Sequence, residues 1–468
     1  MSRLTRREVL AALAAAPALG CTGSDVGLPG DGRAPVPTRD WEGLGEPDLD
    51  HFPLGVQSGD PLPRGLLLWT RYLGAAELTA HLWAWKGEEW IPLVSLPASP
   101  DDQGLVHLDA GDLPVDAGIA FQFEDAEGRL SPVGHGRTAL DRDAWSVVRF
   151  GATSCLHQSR EVYPNLTAAV ERGPLDFWLW LGDTVYVDAY DGYDAIAGVW
   201  ERNFARPDFQ AVLSRVPGVF TWDDHEIYND WTEDPEAHAH RFDDGYAAFF
   251  GYTPLRRHPT EERRIYRSLR FGRTAEVFVL DCRGERDEAN GIYLSEAQMQ
   301  WLKEGLSSSR CTWKIVVNSV PITDLPGPYD VPLVIRDRWD GYPEQRQEIL
   351  SHIADNDLRG VLWVTGDVHH PALCRIDGVG PGARILEAFT GPSGSNLNPL
   401  GSLIMDEDQF AWSDTAWNAA RFEVNAAGFG RIVWVTDADE TLCEAIIDDR
   451  GNILSLEWRV QEFEGAAP

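Results

Sequence analysis

The sequence predicts an α/β fold preceded by a small immunoglobulin-like β-sandwich, and three observations lead there. Between His51 and about Asp143, short runs such as Gly65–Thr70, Leu78–Trp85 and Ile119–Phe123 are separated by turn signals, with almost no helical periodicity. After Val147, apolar runs alternate with amphipathic stretches, the grammar of a layered α/β domain. The chain has 468 residues, 43% of them hydrophobic and 24% charged. That is enough for roughly two to four domains, near the average for soluble globular proteins.

Taken in order, residues 1–21 read as an export segment: Arg6-Arg7, an apolar run from Val9 to Leu19, then Gly20-Cys21. The run is too short to span a bilayer. Thr5–Leu10 resembles a twin-arginine signal, and Ala18–Cys21 resembles a lipobox that would make Cys21 a lipid anchor, although Ala18 stands where such boxes usually carry Leu. Residues 22–50 are rich in Gly, Pro and Asp and read as a flexible linker. Residues 51–145 form the β-domain and 146–468 the α/β domain.

In the α/β region the ends of the apolar runs carry the information. Val147–Ala152 ends in Thr153-Ser154-Cys155, Phe177–Leu181 in Gly182-Asp183, and Gly218–Trp222 in Asp223-Asp224-His225. Val277–Leu280 ends in Asp281-Cys282-Arg283, Ile315–Val317 in Asn318-Ser319, and Val361–Thr365 in Gly366-Asp367-Val368-His369. Six buried strands thus deliver polar residues to their carboxyl ends, where open α/β sheets place their ligands.

The formal net charge of -34 argues against non-specific binding to nucleic acid or anionic lipid. If the substrate is anionic, a bound metal is the natural counter-charge. Asp183 after Gly182 can bridge two cations, and Tyr186 three residues later can return to the same ion as a hard oxygen donor; a plain Gly-Asp turn with a packing Tyr is the competing reading. In Trp222–Asp230, Asp223, Asp224, His225, Asn229 and Asp230 crowd ionisable and polar groups beside a core, which is costly unless they are paired or hold metal. A helix start with acidic first-turn residues would need only one of those carboxylates. Asp367 and His369 share a face if strand pairing continues through them. Setting Cys21 aside, five cysteines remain, so at least one lies outside any intramolecular disulfide. Cys155 is that candidate, either as a metal thiolate or as a small buried hydrophobe.

In this ordered set the chain resembles the PhoD-like alkaline phosphatases of the calcineurin-like metallophosphoesterase superfamily. The landmarks are Gly55–Pro61, Leu68–Arg71, Ser154-Cys155, Gly182–Tyr186, Trp222–Glu226, Leu280–Arg283, Trp339–Pro343 and Gly366–His369. The resemblance runs from about Phe52 to the C-terminus. It implies a four-layer α/β/β/α metallophosphoesterase domain behind the β-sandwich, and a centre of Fe3+ with Ca2+. By motif, Cys155, Asp183, Tyr186 and Asp367 would hold the iron, with Asp183 bridging to calcium. Asp223 and His369 would help hold calcium, and His225 would sit near the leaving group. The chain departs from the family pattern at Asn229-Asp230, where Asn-Asn is expected, and at Cys282, where Thr is expected. Which of Asp223 or Asp224, and of Asn229 or Asp230, is the primary ligand stays open.

The resulting expectation is an exported hydrolase of phosphate monoesters or diesters. The alternatives are a diesterase for lipid or cell-wall polymers and an inactive surface-binding protein on the same fold. The loops Pro321–Trp339 and Gly391–Asn396 are read as solvent-facing, with a lid or substrate-contact role as the alternative.

Overall fold

The computed structural model describes residues 36–37, 41–74, 77–231, 235–325, 336–398 and 408–458. The export segment, and most of the linker before Trp41, lie outside the described residues.

The N-terminal region builds β1 (Val56–Leu62), β2 (Gly65–Arg71), β3 (Leu78–Trp85), β4 (Trp90–Ala98), β5 (Leu105–Ala110), β6 (Gly118–Asp125) and β7 (Gly134–Arg137). Strands β4-β3-β6-β7 form one antiparallel sheet. It packs over β1, β2 and β5 on a core that includes Leu66, Leu68, Leu82, Val106, Phe121 and Phe123.

The remainder follows as β8 (Val148–Thr153), α1 (Pro164–Glu171), β9 (Phe177–Leu181), α2 (Tyr193–Phe204), α3 (Pro207–Leu213), β10 (Gly218–Thr221) and α4 (Pro235–Tyr252). Then come β11 (Arg267–Phe271), β12 (Ala275–Val279), α5 (Glu296–Ser308), β13 (Trp313–Val317), α6 (Pro343–Asp355) and β14 (Val361–Thr365). The chain closes with β15 (Ala372–Arg375), β16 (Leu386–Phe389), β17 (Phe410–Ser413), β18 (Asn418–Val424), β19 (Phe429–Thr436), β20 (Thr441–Asp448) and β21 (Ile453–Trp458).

Two sheets lie face to face. One runs β21-β20-β19-β18-β8-β9-β10-β1-β2-β5, the other β11-β12-β13-β14-β16-β15-β17. The period-two alternation of each central strand assigns the layers. In β9, Phe177, Leu179 and Leu181 enter the core between the sheets, while Trp178 and Trp180 face the helix layer that includes Leu166, Trp200 and Phe249. In β14, Leu362 and Val364 enter the same inter-sheet core, while Val361 and Trp363 face the other helix layer with Leu302 and Ile349. Helices α1 to α4 therefore cover the first sheet and α5 and α6 the second, giving four layers, α/β/β/α. Phe150 stacks between Phe177 and Phe422, with centroids 4.9 and 4.6 Å away; such pairs add about 1 kcal/mol each beyond area burial.

The β-sandwich is not a separate bead on this body. Strand β1 pairs in parallel with β10 through Gly59 and Gly218, so β1, β2 and β5 extend the first central sheet. The pairing satisfies an edge that each part would otherwise expose. The junction carries buried Asp60, whose carboxylate takes two bonds from Arg267, at 2.9 and 2.6 Å, and one from the Arg256 amide at 2.7 Å.

Strands β8, β9 and β10 are parallel neighbours, as are β12, β13, β14 and β16. Their carboxyl ends open at one pole of the molecule. Among the described residues no helix is long and apolar enough to cross a membrane.

Candidate metal centre

Three strand ends turn sharply into the crevice between the sheets. After β8, Cys155 adopts a left-handed backbone (φ 56°); after β9, Asp183 does so (φ 55°); after β14, both Asp367 (φ 67°) and His369 (φ 58°) do. With Asp230 (φ 54°), five of the ten non-glycine residues at positive φ among the described residues are candidate ligands. Each such residue costs of order 1–3 kcal/mol, so backbone strain is concentrated at this pole. Two glycines permit the close approach. A Cβ on Gly182 would lie 2.5 Å from that of Asp223, and one on Gly366 would lie 2.5 Å from that of Ser154.

The ligand atoms fall into three overlapping groups, each within 4.8 Å: Cys155, Asp183 and His369; Asp183, Asp224 and His225; and Asp224, Asp230 and Asp337. Asp183 joins the first two groups and Asp224 the last two. Tyr186 adds its hydroxyl to the first, donating to Asp183 Oδ2 at 2.8 Å and lying 3.4 Å from His369 Nε2. His369 therefore stands with Cys155 and Asp183, where motif carry-over had set it with Asp223.

Asp223 belongs to none of these groups but lies close enough to Asp183 and Asp224 to interact with both. Its Oδ1 accepts bonds from Arg283 Nε at 2.7 Å and Ser319 Oγ at 3.0 Å, while Oδ2 is buried without a hydrogen-bond partner. Asp183 Oδ1 is likewise buried and unpartnered. Of the paired alternatives, the structure brings Asp224 and Asp230 to ligand groups; Asn229 is exposed, with its backbone amide bonded to Asp188 at 2.6 Å.

Asp367 is half-buried beside the same acidic cluster. The expected strand alternation of Asp367 and His369 does not hold. Pairing of β14 with β16 ends at Thr365, and a tight turn follows in which the Val368 amide bonds the Gly366 carbonyl at 2.9 Å.

Four residues to which the sequence reading assigned no role support the centre, although Glu226 and Arg283 lie in motifs it singled out. Glu226, fully buried, accepts the amides of Asp183 (3.1 Å), Thr184 (2.6 Å) and Asp223 (2.9 Å), tying the loop after β9 to the loop after β10. Asp188 accepts from His225 Nδ1 at 2.8 Å, and the imidazole stacks on the Tyr186 ring at 3.9 Å. Arg283 and Asp337 pair through the two terminal guanidinium nitrogens, Nη1 and Nη2. Asp188 was findable, five residues past Asp183 on the same strand-end loop; Asp337 precedes Trp339 in a segment without periodicity.

The loop Gly391–Asn396, expected to face solvent, is buried up to Ser395. Its amides bond the main chain of the Cys155 turn: Ser393 to the Ser154 carbonyl at 3.0 Å, and Gly394 and Ser395 to that of Cys155 at 3.0 and 2.8 Å. The described flanks of Pro321–Trp339 are also largely buried; 326–335 lie outside the described residues. All five cysteines of the folded body, Cys155, Cys282, Cys311, Cys374 and Cys443, are buried and free.

Electrostatically the site is an excess of carboxylates. Burial, reinforced by Asp224, Asp223 and Glu226, pushes the Asp183 carboxyl well above its ordinary range, with His225 opposing. Burial pushes Asp223 to about 6 against the pull of Arg283, and Glu226 to about 7 against three amide bonds. Burial, with Asp183 nearby, likewise raises the Cys155 thiol and the Tyr186 phenol. Burial disfavours charge on His225, yet Asp183, Asp224 and Asp188 raise it to about 11. Burial lowers His369 to about 4, keeping the imidazole neutral and its lone pair free. Unpartnered buried carboxylate oxygens beside thiol, phenol and neutral imidazole are the donors a bound cation requires, so the residues present fit a metal.

Comparison with known proteins gives the same direction. The PhoD-like phosphatase profile matches residues 198–433, and that of the PhoD-like phosphatase N-terminal domain matches residues 43–140. Alkaline phosphatase D of Bacillus subtilis (strain 168) is 28% identical over 377 residues, 68% of this chain and 64% of that protein's length. This chain therefore spans less than two thirds of that relative. A solved structure of PhoD superposes with a TM-score of 0.74 at 21% identity, covering 91% of this chain and 95% of that one. A purple acid phosphatase from seeds of yellow lupin (Lupinus luteus) gives a TM-score of 0.60 at 13% identity, covering 86% and 73%. With its strand-end centre, its four layers and both family profiles in place, the chain belongs to the PhoD-like phosphatase family.

Proposed function

We propose that the chain is an exported metal-dependent phosphoesterase that hydrolyses phosphate monoesters, diesters or both. The observation that carries this reading is Asp183: a buried carboxylate with one oxygen on Tyr186 and the other unpartnered, shared between two ligand groups. Family membership supports the same reading. Cys155, Asp183, Tyr186, Asp367 and His369 would hold one cation; Asp183, Asp223 and Asp224, with Asp230 beside them, would hold the next. The thiolate and phenolate suit Fe3+ and the all-oxygen side suits Ca2+.

When bound, such cations supply Lewis acidity, lowering the pKa of water from about 15.7 to about 7 in the zinc precedent and offsetting charge on the phosphoryl oxygens. The protein's own contribution is positional. Asp188 holds Nδ1 of His225 and Tyr186 holds its ring face, so Nε2 is the nitrogen left to donate a proton to a departing oxygen. Glu226 keeps the Asp183 and Asp223 loops in register. The twin-arginine-like start and Cys21 support export and a lipid anchor.

Asp183→Asn keeps the shape of the side chain and removes the shared charge. We expect turnover of a model aryl phosphate to fall roughly 10³-fold in a protein with unchanged circular dichroism. Near wild-type turnover in this variant would overturn the reading. Assaying an aryl monoester beside an aryl diester separates the two ester classes.

A further inference from the structure

The third acidic group, Asp224, Asp230 and Asp337, differs from the other two: a guanidinium is already there. Arg283 and Arg286 have essentially no exposed surface. Arg283 spreads its fork over two loops. Its Nε donates to Asp223 Oδ1 at 2.7 Å, Nη1 to Asp337 Oδ1 and Nη2 to Asp337 Oδ2 at 3.0 Å, with Asp224 Oδ2 3.8 Å away. Arg286 Nη1 reaches Asp337 Oδ1 at 2.9 Å, while its Nε and Nη2 bond the Cys282 carbonyl at 3.1 and 2.8 Å. Both oxygens of Asp337 are thereby engaged within the protein.

The consequence falls on Asp223. One of its oxygens is held by Arg283 and Ser319, and its main-chain amide by Glu226, so the carboxylate cannot rotate freely; the other oxygen, Oδ2, is left buried and unpartnered. We infer that Arg283 is a positioning residue. It is a built-in counter-cation that fixes the Asp223 carboxylate so that Oδ2 serves the cation on the Asp183–Asp224 side, while its side-chain hydrogen bonds go to Asp223 and Asp337 and none to Cys155, Tyr186 or His369. Arg283 enters from the end of β12 in the second sheet and Asp223 from the end of β10 in the first, so the clamp also spans the two sheets.

The inference rests on the metallophosphoesterase reading, and its primary readout, metal binding, needs no substrate. Lysine cannot reproduce the planar fork, so Arg283→Lys keeps the charge and loses the clamp. In purified chain we expect Arg283→Lys to retain the metal held with Cys155, at one equivalent by elemental analysis. We expect its affinity for Ca2+, titrated against a competing chelator, to fall roughly 10- to 100-fold. Turnover at saturating Ca2+ should recover, so the loss appears in the metal requirement rather than in kcat.

Should Arg283→Lys not fold, the double variant Arg283→Met with Asp337→Leu removes both members of the bidentate pair at unchanged net charge and leaves Arg286 on the Cys282 carbonyl, and the same weakening of Ca2+ is expected. Wild-type Ca2+ affinity in a folded variant, or loss of both metals together, would overturn the clamp. If the wild type hydrolyses no phosphate ester yet Arg283→Lys still weakens Ca2+, the clamp stands and the functional reading falls. If the wild type turns over and Ca2+ affinity is unmoved, the reverse holds.

Discussion

Asp183 and His135 show how burial can serve two ends. On the proposed function a bound cation would reverse the penalty on the buried charge at Asp183; at His135 the Ser214 main chain opposes the penalty without reversing it. His135 lies buried in β7 against Trp90, ring centroids 5.8 Å apart, and burial lowers its pKa from 6.5 to about 4. The folded-state pKa lies below the unfolded one, so unfolded chains bind the extra proton as pH falls. The contribution is complete above about pH 6.5 and is lost progressively towards pH 4, by about 3 kcal/mol at most. His135→Gln should flatten that part of the curve of thermal midpoint against pH. An unchanged acid slope would show that His135 is not the group responsible.

At the scale of elements, the reading depends on how strands end. The six apolar runs were legible because each is short, continuous and closed by polar residues, and the structure forms a strand from every one. Their division between two sheets was not legible, because the first sheet is assembled by β1 on β10 and β18 on β8, pairings over long sequence separations. The same limit hid the buried Gly391–Ser395 loop, whose amide partners lie on the Cys155 turn, and Asp337, which acquires meaning only opposite Arg283. Gly182, by contrast, could be read directly. Its φ of 93° and its contact with Asp223 mean that Gly182→Ala forces a backbone shift at the two loops it joins. We expect a loss of about 1–3 kcal/mol in unfolding free energy, with Ca2+ affinity reduced in the folded fraction. Wild-type stability together with wild-type Ca2+ binding would contradict this role.

At the scale of the molecule, the β-sandwich and the phosphatase body share one ten-stranded sheet, so the N-terminal region supports the edge of β10, the strand that delivers Asp223 and Asp224. The net charge of -34 is borne partly by the carboxylates gathered at the strand-end pole; on the proposed function, bound cations would replace the missing basic residues and let a strongly acidic protein take an anionic ester. The most direct test of that account is elemental analysis of the purified chain coupled to turnover of an aryl phosphate, before and after exhaustive chelation and after metal is restored. The account predicts at least two metal equivalents per chain, including iron and calcium, turnover that is lost with the metals, and its return when they are restored. A chain that is metal-free as purified, or that turns over unchanged after chelation, would contradict it.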